Sequence, residues 1–167
     1  MPHPLFDQLR FTRTELQRCM EGVSEEDGQK RLLPNNSLGW IVGHLAAQEQ
    51  MLWLEMAQDK LPRPELQSVR WGQPASTPPL ASMWDAWREV TEESNTYLDT
   101  LDEAKLLQPV VKDGKLGREN LGTQMQRVIY HYWFHLGEAH ALRQQMGHEG
   151  IPDFVGALGK KAPFRLA

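Results

Sequence analysis

Apolar residues recur at steps of three and four over most of the chain, the period of amphipathic helices. The longest run covers 121–146, where Met125, Val128, Ile129, Tyr132, Leu136, Ala139, Leu142 and Met146 recur at that spacing. Thr123 followed by Gln126 has the spacing of a capping box, and Gly147 can supply the left-handed residue that ends a helix. At 1.5 Å per residue this segment is about 35 Å long, which suits a bundle. A second helix is predicted over 37–58, capped by Asn36 or Ser37, with Ile41, Leu45 and Leu52 in one narrow sector and Gly39 and Gly43 weakening it modestly. A third covers 5–23 through Leu5, Phe6, Leu9, Leu16, Met20 and Val23, with Pro4 near its first turn. A fourth covers 80–101 through Met83, Trp84, Trp87, Val90, Tyr97, Leu98 and Leu101, its start marked by Pro78 and Pro79, while 24–27 reads as a turn or short helical start.

Two stretches break the helical period. Residues 61–77 are proline-rich and read as irregular; 108–122 contain the turn signal Asp113-Gly114 and room for a small hairpin around Val110-Val111 and Lys115-Leu116. The glycine- and proline-containing tail, 150–167, is expected along the surface or over one end of the molecule. Four helices of this length with no convincing sheet predict an all-α four-helix bundle with a short C-terminal tail. No repeat or composition break divides residues 1–167, so one domain is expected.

Composition narrows the function classes. A net charge of −4 over 167 residues lacks the basic footprint of a nucleic-acid binder. The single cysteine, Cys19, excludes an internal disulfide framework and a C-x-x-C redox pair, reads as a small core filler, and suits a reducing cytoplasm. The first residues have neither the charge nor the apolar run of a signal peptide, and no stretch is apolar enough to span a bilayer, so no membrane partner is expected. H-E-x-x-H, Walker, G-x-S-x-G and dinucleotide motifs are all missing.

The six histidines carry the chemistry that remains. Only His131 and His135 stand four apart, so two imidazoles can point at one metal ion from successive helical turns. Chance would supply about 0.2 such pairs in a chain with this many histidines, so the weight of the pair depends on its face. That sector also holds Val128, Ala139 and Leu142, where unpaired imidazoles would be costly. Glu138, three residues beyond His135, is a candidate ligand, orienting acceptor or base, against the reading of a solvated helix glutamate. His44 lies beside Ile41 and Leu45, with Gln48 one turn on; if the second and last helices are neighbours, three imidazoles converge and leave a coordination position open. His140 falls about 140° around the helix from His135 and is expected at the surface or an interface. His3 and His148 receive no role. Trp84 and Trp87 read as packing residues, Trp40, Tyr132 and Trp133 as candidates to border a pocket near the histidines, and Lys160, Lys161 and Arg165 as a solvated cluster.

The segment Asn36-Ser37-Leu38-Gly39-Trp40-Ile41-Val42-Gly43-His44-Leu45-Ala46, followed far downstream by His131-Tyr132-Trp133-Phe134-His135-Leu136-Gly137-Glu138, resembles the DinB-like superfamily of metal-dependent proteins. That superfamily includes bacterial thiol-dependent transferases and mycothiol-dependent maleylpyruvate isomerases. The resemblance extends over about 4–147. It implies an up-down-down-up four-helix bundle, often dimeric, with a divalent metal at one end held by His44, His131 and His135. Many relatives have glutamine where this chain has Glu138.

Two function classes follow. The first is a metal-dependent enzyme, a thiol-dependent S-transferase or a hydrolase, using zinc or nickel on the three histidines, with Glu138 as its catalytic side chain. Its partners would be a small-molecule substrate, a low-molecular-weight thiol co-substrate and a second copy of the chain. The second is a helical bundle that binds metal or a small ligand and turns nothing over, and beside these two stands a purely structural dimer with a vestigial site.

Overall fold

The computed structural model describes residues 3–112 and 115–166. Four long helices form the body: α1 (Pro4–Met20), α3 (Leu38–Glu49), α5 (Leu80–Leu98) and α7 (Leu121–Gln145). Short helices α2 (Glu25–Gln29), α4 (Met56–Gln58), α6 (Glu103–Leu106) and α8 (Leu158–Lys161) join or follow them. The all-α expectation holds, and none of the described helices is long and apolar enough to cross a membrane.

Helix starts follow from local chemistry. Ser37 Oγ accepts from the Trp40 N–H at 3.2 Å and caps α3. Asn120 Oδ1 accepts from Thr123 N at 2.8 Å, so the cap of α7 is Asn120, a correction to the capping box expected at Thr123 and Gln126. Asparagine wins because β2 (Lys115–Asn120) leaves it extended immediately before the first helical residue. The start of α5 has no cap of its own, since Pro79 offers no side-chain acceptor; Glu25 of α2 instead takes the N–H groups of Leu80 and Ala81 at 2.8 and 2.9 Å. At the other ends, Gly147 (φ 81°) closes α7 as expected, whereas α1 stops at Met20 and α5 at Leu98, each three residues short of the period.

The second predicted helix is continuous through 58, but its later half is π-helical over Gln50–Glu55 before α4. The wider turn brings Gln50, fully buried, onto the backbone of Arg63 in both directions: Nε2–H donates to the carbonyl and Oε1 accepts from the N–H. Within the stretch expected to be irregular, Pro64–Val69 forms a 3-10 helix whose Leu66 and Val69 are buried. The small hairpin exists as β1 (Pro109–Lys112) paired antiparallel with β2; its turn signal Asp113-Gly114 lies outside the described residues.

Contacts along the helices set their directions. Arg10 pairs with Asp99 and Arg13 with Asn95, so α1 and α5 run oppositely. Phe11 packs on Trp133 while Cys19, further along, meets Leu136 and Arg143, so α1 and α7 run together. Trp40 faces His135 and Gln48 reaches His131, which makes α3 and α7 antiparallel. Gly39 lies against Leu80 and Gly43 against Met83, so α3 and α5 run together. The order is up-down-down-up. A Cβ on Gly39 would come within 2.6 Å of the Pro78 carbonyl and one on Gly43 within 2.4 Å of Met83 Sδ, so these glycines permit the close α3–α5 approach.

One buried hydrogen-bond network touches all four long helices. Arg13 Nε donates to Glu49 Oε1 at 2.9 Å, Tyr132 O–H donates to the same oxygen at 2.6 Å, Trp87 Nε1–H donates to Tyr132 at 2.8 Å, and Arg13 Nη1 donates to Asn95 at 2.7 Å. Cys19 fills the core, and burial pushes its thiol up to about 11. The tail lies along α1: Gly156 N–H donates to Glu15, and Gln8 donates to the Ala162 carbonyl.

Candidate metal centre

The antiparallel pairing of α3 and α7 brings His44 to His131 and His135. Ring centroids lie 4.6 to 5.1 Å apart, and one ligand-capable nitrogen from each ring falls within 4.8 Å of the others. His44 and His135 are buried and His131 half-buried. Nε2 of His131 and Nε2 of His135 stand 3.1 Å apart.

The opposite nitrogen of every ring is held. His44 Nδ1–H donates to the Val69 carbonyl at 2.7 Å, His131 Nδ1–H to Gln48 Oε1 at 2.6 Å, and His135 Nδ1–H to Glu138 Oε2 at 2.7 Å. All three partners are acceptors, so each neutral ring carries its proton on Nδ1 and its lone pair on Nε2. Burial, with the neighbouring His135, lowers His44 to about 4. Burial, then His135 and His44, lowers His131 to about 3. These two imidazoles are therefore neutral at pH 7, the protonation state a metal ligand requires. Clustered lone pairs repel one another unless a cation lies among them, and acceptors behind metal-ligating imidazoles are the usual outer partners of such ions. The cluster fits a divalent ion bound by three nitrogens with a further position open.

The other sequence candidates divide. Trp40 stacks on His44, with centroids 4.3 Å apart and planes at 14°. Tyr132 and Trp133 turn away, the first into the buried network and the second onto Phe11. His140 is half-buried, edge-on to Phe154 of the tail at 5.6 Å, because the tail crosses that face of α7. Trp84 and Trp87 pack on each other, and Arg165 pairs with Asp7. Sequence reasoning missed Val69, whose part is played by a backbone carbonyl, and left Gln48 without a role although its spacing from His44 was visible.

Two open cavities meet at Gln48 and His131. One, of about 400 Å³, extends past Met51 to Arg70 and Trp71; the other, of about 590 Å³, runs along α7 past Gln126, Tyr130 and Phe134. No curated protein matches the chain. The family profile of the DinB superfamily matches residues 8–139, from the first turns of α1 through Ala139 on α7. With the match spanning most of the chain and all four long helices, this protein belongs to the DinB superfamily.

Proposed function

We propose that the protein is a metal-dependent enzyme that transfers a low-molecular-weight thiol to a small electrophilic substrate, with His44, His131 and His135 holding one divalent ion through Nε2. The observation that carries this reading is the convergence of three imidazoles whose Nδ1 atoms are all tied to acceptors. Imidazole ligands suit zinc and nickel, the ions expected here. Such an ion, when bound, supplies Lewis acidity that lowers the pKa of a thiol or water beside it.

The chain's own groups do the rest. Three neutral ligands preserve the positive charge of the site, which a carboxylate ligand would reduce, so Glu138 acts from outside the ligand set. It fixes the orientation of His135 and is the base assigned to the thiol proton. Val69 and Gln48 hold the other two rings. The reading treats residues 1–167 as one unit, in a cytoplasmic setting that accords with a lone buried thiol, and as a homodimer, for which the exposed Tyr130 and Phe134 on α7 supply apolar surface.

The test pairs metal content with conjugation of cysteine, bacillithiol, mycothiol or glutathione to a model electrophile. His135→Ala is expected to abolish both metal and turnover. Glu138→Gln is expected to keep the metal and lower the rate severalfold, in line with a positioning and proton-accepting role. Wild-type protein carrying full metal with no rate above the uncatalysed reaction across these thiols would move the assignment to a metal-binding bundle without turnover.

A further inference from the structure

The cavity of about 400 Å³ beside His44 and His131 is not featureless. Its apolar lining is Ala47, Met51 and Trp71, and Arg70 lines it as well. Trp71 is 91% exposed, whereas the other five tryptophans are buried or half-buried, so this indole packs on nothing that would hold it in the core. Arg70 is paired through Nη2 with Glu55, which anchors the guanidinium, while its Nε is buried without a partner. A guanidinium offers five donors in a planar fork, so the pair with Glu55 leaves donors for a second acceptor, and a carboxylate is the group that matches the fork.

The backbone links this wall to the histidines. Val69, Arg70 and Trp71 are consecutive, and the Val69 carbonyl is the acceptor that orients His44. The segment that fixes one imidazole therefore also presents the cation and the aromatic plane, so a molecule lying between Trp71 and Arg70 would have one edge at the histidine cluster.

We propose that this cavity is the site of the electrophilic substrate and that it takes a small, planar, largely apolar acid, its carboxylate on Arg70 and its body against Trp71, Met51 and Ala47. Calling the occupant a substrate rests on reading the three imidazoles as a reactive centre; its binding does not.

The experiment is calorimetric titration of the full chain with benzoate and with benzamide, on protein as purified and after chelator treatment, with metal content measured in both. The acid is expected to bind about tenfold tighter than the amide in both preparations, the difference a charged hydrogen-bonded pair makes. Arg70→Met is expected to erase that preference and Arg70→Lys to keep part of it, a pattern that a merely structural role for Arg70 would not produce. Trp71→Ala is expected to weaken acid and amide alike by about fivefold, as loss of a stacking surface does. Bound acid should also shield tryptophan fluorescence from iodide. Absence of acid binding, equal affinity for the two probes, or a preference that survives Arg70→Met overturns the proposal. A preference that vanishes on chelation and ignores Arg70 puts the acid on the ion, which overturns this site and leaves the metal reading standing. Metal-free protein that still prefers the acid through Arg70 supports this site even where the metal reading fails.

Discussion

His44 and His131 show how burial converts an ordinary residue into one with a defined state. Each is held neutral in the fold, near 4 and near 3, by burial and by the imidazoles beside it. In the unfolded chain each returns to about 6.5. Lowered values mean that their contribution to stability is complete above about pH 6.5. It is lost as pH falls, because the unfolded chain binds protons that the folded one refuses. The slope reaches about 1.4 kcal/mol per pH unit for each group until the folded rings titrate. Chelator-treated protein is therefore expected to lose thermal stability steadily from pH 6.5 to about 4, and His131→Gln to flatten the decline. A melting temperature unchanged over that window would contradict the assignment of neutral rings. At this scale the sequence was partly legible. The H-x-x-x-H spacing and the histidine on an apolar face were visible because side-chain identity and helical period carry them. The hold on His44 was not, because a backbone carbonyl on Val69 has no residue signature and reaches the ring across 25 positions of chain.

Between residues and the whole molecule, the elements meet in a fixed register. Glu49 follows Gln48 on α3 and Tyr132 follows His131 on α7, so the buried Tyr132–Glu49 hydrogen bond and the His131–Gln48 hydrogen bond are one residue apart on both helices. The core network and the imidazole cluster thus share a single alignment of α3 with α7, and Arg13 ties α1 to it. Glu49→Ala is expected to cost ~3–5 kcal/mol in chemical denaturation, since it strands the Arg13 guanidinium in the core. A loss under 1 kcal/mol would show that the guanidinium finds water or another acceptor. The four helices were legible in the apolar period, yet this network was not: nothing in that period marks Arg13 or Glu49, and only packing reveals them as partners. The π-helical turn after Glu49 was equally hidden, because its cause is the distant docking of Gln50 on Arg63 rather than any local propensity. Prolines disguised Pro64–Val69 for a related reason, since they suit the first turn of a short helix as well as a loop.

In the whole molecule, up-down-down-up order makes the three-histidine cluster a long-range object: one ring comes from the second long helix and two from the last, 87 positions separating His44 from His131 in the chain. An ion held there binds the folded chain and finds no comparable set of ligands in the unfolded one, so its binding energy adds to folding. At a free concentration one hundred times the dissociation constant the gain is about 2.7 kcal/mol. In a domain of this size each kcal/mol raises the midpoint by about 2–4 °C, so zinc or nickel added to chelator-treated protein is expected to raise it by roughly 5–10 °C. The variants separate site from surface. His135→Ala should abolish the shift, because it removes one of three ligands, while His140→Ala, whose ring lies under Phe154 on another face of the same helix, should keep it. An equal shift in both variants would assign the stabilisation to scattered surface carboxylates and imidazoles, and the joining of α3 to α7 through a common ion would fall with it.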